Sequence, residues 1–420
     1  KRQLEGETFD GHDFVGESLA AGAAGAVVTK DIPGDPGKSL FRVPDTTVAL
    51  GALAHHRRMA LGAKVVGITG SSGKTTTKDL LTETLGGTLQ VHGTQGNFNN
   101  RVGLPLTLLA APDETEALVL EMGTNEPGEI RSLTAIAEPH IGVITTVSET
   151  HLEKLGSLEG VLEEKLDLFR GLDQGGKAIV GDEPPELALR SKGLVSLLRV
   201  VGWSDRADQE NRPDSPSISK NGCFRFGWRG EQVELKIPGR HSVQNALLAL
   251  AVADLLGVSA SMAAQRIGRV TPKGMRSEVR SLGSLTLLVD CYNANPQSLK
   301  AALELLGAIE GTGPRVAVLG SMLELGPNTG VLHQKALQDA LSFPLDLVVV
   351  TGLFADAAET IQLPREKPEL VVAPDLEEAR EVLLQTLRGS EVVLLKASRG
   401  VAMERLIPSL EERFGPGKAA

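Results

Sequence analysis

The stretch KVVGITGSSGKTTTKDLLTETL, residues 64–85, constrains the fold of this chain more than any other. An apolar run ends at Thr69, a turn holding Gly70 and Gly73 follows, and a helical pattern begins near Thr75. A strand that enters a helix through such a turn aims several backbone N–H groups, at the positive end of the helix dipole, toward one point. The result is an anion cradle. Lys74 adds a point charge for the β and γ phosphates of a nucleotide, and Thr75 adds a hydroxyl that can ligate Mg²⁺. With Ser71, Ser72 and Thr76 these residues make up the predicted phosphate-binding loop. A glycine turn with a solvated lysine is the bland alternative, but GK followed by three threonines between a strand and a helix is a specific signal. The spacing is shifted. The pattern G-x-x-x-x-G-K-[ST] calls for glycine at position 68, where Ile68 stands, and the earlier glycine is Gly70.

Strands and helices go on alternating. EALVLEMG precedes GEIRSLTAIA, and IGVITTV precedes LEGVLEEKLDLFRGL, which predicts an α/β fold with a mostly parallel sheet covered by helices on both faces. DTTVALGALAHHRRMALGA, residues 45–63, opens on an Asp N-cap and has helical apolar spacing, so a connecting helix is expected. Residues 201–237 read as a polar loop followed by a small antiparallel excursion. After the helical run HSVQNALLALAVADLLGV, the segment RVTPKGM reads as a hinge. TLLVDCYN, RVAVLGSM, DLVVVTG and EVVLLKAS then each end at a strand terminus of the kind where doubly wound sheets bind ligands. The expected units are residues 1–44, 45–270 and 271–420. The first is small for an independent domain, which predicts further residues upstream. The tail FGPGKAA is expected to be disordered.

Composition narrows the function classes. A net charge of −10 opposes a general grip on nucleic acid, and 3% aromatic residues leave little for base stacking. Two cysteines, Cys223 and Cys291, are too few for a disulfide framework or a four-thiolate zinc site and fit a reducing compartment. No apolar run is long enough to span a bilayer and the first residues lack a signal-peptide core, so a cytoplasmic protein with no membrane insertion is expected. Individual residues add chemistry. Glu121 ends an apolar strand beside the loop, where a carboxylate can share with Thr75 a Mg²⁺ that bridges the phosphates. His241 and Asn245 lie four apart on one helix face, and Asn245 has the donor and acceptor needed to read an adenine edge.

Beyond the GKTT loop, GNFNNRVGLPLTLL (96–109), LEMGTNEPGEI (120–130), SETHLEKLGS (148–157), PGRHSVQNAL (238–247), DCYNANPQS (290–298) and MLELG (322–326) follow in order, with DGHDF (10–14) ahead of them. This series resembles the Mur ligase family, ATP-dependent amino-acid and peptide ligases that build the peptidoglycan stem, and the shifted glycine becomes a family dialect. The resemblance covers nearly the whole chain. It implies a three-domain architecture: a small N-terminal α/β domain, a central phosphate-loop domain and a Rossmann-like C-terminal domain. It also implies the branch that joins D-alanyl-D-alanine to UDP-MurNAc-tripeptide through an acyl phosphate, acting as a monomer.

Residue roles follow from the same resemblance. His151 is expected to bind a second Mg²⁺, and Lys165 to be carbamylated by CO₂ into an anionic oxygen donor for it. Asn245 would contact adenine, while Arg276 and Asp290 would reach the γ-phosphate and ribose from the next domain. Asn97, Asn99 and Asn100 would lie near the muramyl peptide, although spacing alone favours an Asx-turn loop. Tyr292, Asn293 and Asn295 would face the nucleotide side of the cleft. Asp10, Gly11 and His12 would serve the UDP part, and Lys396, Ser398 and Arg399 the incoming dipeptide. The family's GDM before ELG is GSM here, at Gly320, Ser321 and Met322, which leaves no acid at position 321. Two rivals stand beside this reading. Another ligase of the family, joining a single amino acid or a glutamate, is disfavoured by LEMGTNEPGEI and DCYNANP. A nucleotide-driven switch would explain residues 67–121 but not the motifs downstream.

Overall fold

A computed structural model of the chain describes residues 10–32, 39–173, 175–311, 313–361 and 368–415. Three bodies follow one another, each around its own sheet. In the first, the strand Gly25–Val28 pairs in parallel with Ser39–Arg42, and the short helix Val15–Ala20 covers them through Val15 and Leu19. The connecting helix is Thr46–Leu61. The Asp45 carboxylate accepts from the Thr47 and Val48 N–H groups at 2.6 and 2.9 Å, and Gly62, at φ +62°, ends it.

The second body holds a six-stranded sheet, all parallel. Its order is Val91–Gly93, Ala117–Glu121, Lys64–Thr69, Ile141–Ile144, Lys177–Gly181, Leu197–Val201. Both faces of the central strands are buried, which is why they read as unbroken apolar runs. Val66 and Ile68 face a core shared with the helices Lys74–Leu85 and Arg240–Leu255, while Val65 faces a second core with Leu104, Leu133 and Phe169. The strands Lys177–Gly181 and Leu197–Val201 extend the sheet beyond what the sequence reading singles out. The expected antiparallel excursion has three strands, Asp214–Ile218, Cys223–Trp228 and Glu231–Pro238.

Residues 268–277 carry neither helix nor strand and lead into the third body. Its sheet runs Glu278–Leu282, Leu285–Asp290, Val392–Lys396, Arg315–Leu319, Leu347–Val350, Glu369–Val372, parallel except for the first pair. The strands of both large sheets point their C-termini toward the junction, since Glu121 and Asp290 at two strand ends, and Ser71 and Ser72 just beyond the strand that ends at Thr69, line one cavity there. No helix among the described residues is long and apolar enough to cross a membrane. The predicted disorder of the tail concerns residues 416–420, which lie outside the described residues; Phe414 still belongs to the helix Ile407–Phe414.

Candidate active site

The shifted glycine has a steric reason. Ile68 is still inside the strand, fully buried and paired with Glu121 and Val143, so the turn opens two residues later. Gly70 sits at φ +149°, and a Cβ on it would lie 1.9 Å from Thr145 Oγ1. Gly73 sits at φ +83°, where a Cβ would meet Asn245 Oδ1 at 2.3 Å. Only glycine fits either place. The loop is braced from behind: Ser71 N–H donates to the Thr146 carbonyl at 2.9 Å, Ser71 Oγ accepts from Ser148 N–H at 2.9 Å, and Ser72 N–H donates to Thr146 Oγ1 at 3.2 Å. The helix Lys74–Leu85 then starts with no side chain capping it, so the N–H groups of its first turn, at Lys74, Thr75 and Thr76, are available to an anion. Lys74 curls back, its Nζ donating to the Gly70 carbonyl at 2.7 Å. Burial pulls its pKa below the usual lysine value, and Glu121 opposes that pull.

Beside the loop, Glu121 is 2% exposed; Oε1 accepts from Asn99 Nδ2 at 2.8 Å and Oε2 is buried with no partner. Lys165, on the helix Leu158–Arg170, is 1% exposed and makes no hydrogen bond or ion pair with the described residues. Burial, and then the charge of Lys74, lower its pKa to about 7. Its neighbour Glu164 is also buried, and accepts from Thr124 Oγ1, Gly128 N–H and Ile130 N–H, which ties this helix to the loop after Glu121. His151 Nδ1 lies 2.6 Å from Glu324 Oε2, a carboxylate of the third body, and this contact holds the Glu324 carboxyl below its ordinary pKa.

The far wall comes from the third body and the helix Arg240–Leu255. Asn245 is buried, and its Oδ1 accepts from Thr77 Oγ1 at 3.3 Å. His241 Nε2 lies 3.2 Å from Ser277 Oγ. The Arg276 guanidinium rests 3.8 Å above the Tyr292 ring. Parallel register sets Asp290 opposite Lys396, and their side chains pair at 2.7 Å; Lys396 Nζ also donates to the Asn293 carbonyl at 2.7 Å. Asn295 caps the helix Pro296–Ala308 through Ser298 N–H, and its Nδ2 reaches across to Ser72 Oγ at 3.1 Å. A cavity of about 620 Å³ lies between the walls. Its lining unites Ser71 to Thr76, Asn97, Asn99, Asn100, Glu121, His151, Asn245, Arg276, Asp290, Tyr292, Asn293, Asn295 and Lys396. Uncharged donors, the cations Lys74, Lys396 and Arg276 and the carboxylates Glu121 and Asp290 thus converge on one space large enough for a nucleotide and part of a second molecule.

The comparisons with known proteins point one way. Residues 68–253 match the Mur ligase middle domain, and residues 275–399 match the Mur ligase glutamate ligase domain. The UDP-N-acetylmuramoyl-tripeptide–D-alanyl-D-alanine ligase of Bacillus subtilis is 37% identical over 97% of this chain and 89% of its own length. That of Escherichia coli is 31% identical over 97% of this chain and 90% of its own. Among solved structures, MurF of Acinetobacter baumannii superposes with a TM-score of 0.87 at 31% identity, covering 98% of this chain and 90% of the other. MurF of Thermotoga maritima in complex with ADP superposes at 0.86 and 28% identity, covering 98% and 93%. This chain belongs to the Mur ligase family.

Within this Mur ligase, the remaining candidate residues sit elsewhere. Gly70 is under the loop and Lys165 behind the cavity wall; neither lines the cavity. Asp10, Gly11 and His12 lie in the first body, where His12 Nδ1 is 2.5 Å from Asp10 Oδ1 and Nε2 accepts from Thr29 N–H at 3.0 Å. Lys30 pairs with the same carboxylate, and together these contacts push the Asp10 pKa far down, Lys30 contributing most. Ser398 is buried, with Oγ accepting from Leu323 N–H at 3.0 Å, and Arg399 is exposed and pairs with Glu404 at 2.8 Å. Among the described residues no three His, Cys, Asp or Glu side chains gather as a metal cluster. Gln244, Trp203, Arg240 and Glu324 join the site without having been expected from the sequence. Gln244 and Trp203 line the cavity, Gln244 Nε2 is buried without a partner, and Arg240 lies 4.5 Å from the Trp203 ring. A tryptophan inside an otherwise polar, turn-rich segment was the one signal available for Trp203.

Proposed function

We propose that this Mur ligase joins D-alanyl-D-alanine to the tripeptide carboxylate of UDP-MurNAc-tripeptide, giving UDP-MurNAc-pentapeptide, ADP and phosphate. The observation that carries the reading is the single cavity in which an uncapped helix start and Lys74 face Arg276, Asp290 and Tyr292 of another body. A carboxylate resists attack by an amine, because its carbonyl carbon is electron-rich and its leaving group would be an oxide. Transfer of the γ-phosphoryl from ATP to a carboxylate oxygen releases ADP and creates an acyl phosphate. The amine of the dipeptide then adds to the acyl carbon, the C–O bond to phosphate breaks, an amide forms, and the amine gives up a proton.

The chain's own groups supply charge stabilisation and placement. Lys74 leaves the Gly70 carbonyl for the phosphates, the first-turn N–H groups cradle them, Asn245 meets the base, and Arg276 arrives from the third body. Asn97, Asn99 and Asn100 would meet the muramyl peptide, Asp10, Gly11 and His12 the uridine end, and Lys396, Ser398 and Arg399 the dipeptide side. Magnesium, when bound, neutralises phosphate charge and polarises the phosphoryl oxygens. The residues fit it: the unpartnered, buried Glu121 Oε2 is an acceptor awaiting a cation, and Thr75 and His151 line the same space. Lys165 fits a carbamate. At a pKa of about 7 much of it is neutral amine near neutral pH, and addition of that amine to CO₂ forms an N–C bond, releases a proton and puts an anion in place of the amine. All these groups belong to one chain, so a monomer suffices, and the use of ATP places the reaction in the cytoplasm. We divide the chain into 1–44, 45–270 and 271–420 because the two-stranded sheet and the two six-stranded sheets fall one in each, the three-stranded antiparallel sheet going with the middle unit.

Phosphate release should require both UDP-MurNAc-tripeptide and D-alanyl-D-alanine, and oxygen-18 placed in the tripeptide carboxylate should appear in the released phosphate. Brisk ATP turnover with neither substrate present would instead favour a switch.

A further inference from the structure

At one seam between the second and third bodies, two residues adopt backbone conformations that side chains other than glycine disfavour. His151 sits at φ +54° and Glu324 at φ +64°. Their side chains meet, Glu324 Oε2 lying 2.6 Å from His151 Nδ1. The surroundings are packed around this contact. The helix Leu152–Leu155 lies on the turn Gly326–Asn328, and a Cβ on Gly326 would come within 2.8 Å of Glu153 Cα. His151 lines the cavity with Thr75 and Glu121; Glu324 stands outside that lining. Because Nδ1 is committed to Glu324, Nε2 is the ring nitrogen left for a ligand. A carboxylate that holds one imidazole nitrogen fixes the tautomer and the ring orientation for whatever binds the other.

We infer that Glu324 is a positioning residue: it reaches across the seam to orient His151 for a divalent cation, so that cation affinity depends on this arrangement of the two bodies. The inference rests on the reading of His151 as a metal residue given above. An ordinary half-exposed ion pair would contribute little and would leave cation binding unchanged. Here the coupling is reciprocal. Whatever factor the seam adds to cation affinity, a bound cation adds to the population in which the seam is closed.

The test uses the full chain saturated with a non-hydrolysable ATP analogue and titrated with Mn²⁺, free and bound ion being separated by electron paramagnetic resonance. His151→Ala defines which ion is lost. Glu324→Ala should weaken that same ion about 10- to 100-fold, the range for partners that orient metal-bound histidines. Glu324→Gln keeps an oxygen acceptor and should recover most of the loss, which a role in packing alone would not predict. The Glu324 side chain is 57% exposed, so both variants should fold, and melting curves check that. Wild-type affinity in Glu324→Ala, or a Glu324→Gln no better than Glu324→Ala, overturns the inference. Retention of both ions in His151→Ala would instead overturn the metal reading of His151.

Discussion

The two walls of the cavity are built in opposite ways. On the phosphate-loop side the working groups follow one another in the chain, they are largely main-chain N–H groups, and among the described residues the Lys74 ammonium donates a hydrogen bond to the carbonyl of Gly70 alone. On the far side the side chains hold each other: Arg276 lies on Tyr292, and Asp290 sits between Ser277 N–H and Lys396, which in turn holds the Asn293 carbonyl. Groups of the first wall are therefore free to meet a ligand, whereas those of the second are also part of the fold. Equal-sized substitutions should then separate, one wall losing turnover and the other losing stability.

Lys74→Met gives the sharpest contrast. Removing a charge aimed at a transferring phosphoryl group should lower turnover about 10³-fold, or about 4 kcal/mol of transition-state stabilisation. The unfolding midpoint should move by less than about 0.5 kcal/mol equivalent, since one hydrogen bond to a turn carbonyl is lost and a half-buried charge goes with it. Steady-state rates and a denaturant titration check both halves. Turnover within tenfold of wild type would break the comparison on its first wall.

Lys396→Ala should be marked instead by a loss of stability. It leaves Asp290 beside an empty, buried position, and removing one member of such a pair costs about 3 kcal/mol. Lys396 is 3% exposed and the Asp290 side chain 16%, so solvent can relieve only part of the loss. A double variant that also converts Asp290 to Asn should regain stability, which a thermodynamic cycle would show. An unchanged midpoint in Lys396→Ala would mean that the far wall is not held together this way.

The same contrast explains what could be read from the chain beforehand. The loop and its strand were legible because their signals are local: an apolar run, glycines where φ is positive and a lysine at the helix start. The Asp290–Lys396 pair was not, because parallel pairing of two distant strands brings them together and no local pattern records that register. The His151–Glu324 contact was invisible for the same reason. Among the strands, Asp214–Ile218 escaped notice because all five residues are exposed and only Ile218 is strongly apolar, leaving no alternation to detect. The hairpin strand Glu278–Leu282 escaped as a half-buried edge. Family motifs filled some gaps by naming Arg276 and Asp290, but they could not say that Arg276 would rest on Tyr292.

Gly73→Ala tests whether the loop wall also carries structural constraint. The new methyl would need φ near +83° and would press on Asn245 Oδ1, so strain and displacement together should cost about 2 kcal/mol. Nucleotide affinity should fall along with stability, because Asn245 and the first-turn N–H groups move together. Calorimetric titration with ATP and a melting curve measure the two effects. If affinity falls while stability holds, the loop gives way without disturbing the helix behind it.

Asn295 is where the two walls touch, and its variants give the smallest but most selective effect. Asn295→Ala removes the N-cap of the helix Pro296–Ala308 and should cost about 1 kcal/mol. It also deletes the 3.1 Å donation from Nδ2 to Ser72 Oγ. Asn295→Asp separates these roles. A carboxylate still accepts from Ser298 N–H and keeps the cap, but it cannot donate to Ser72, and it sets a negative charge beside a loop built for phosphates. Stability should therefore stay within about 0.5 kcal/mol of wild type, while the KM for ATP rises. A KM that is unchanged in Asn295→Asp would mean that the contact between the walls is incidental to nucleotide binding, even if the cap on the far wall behaves as expected.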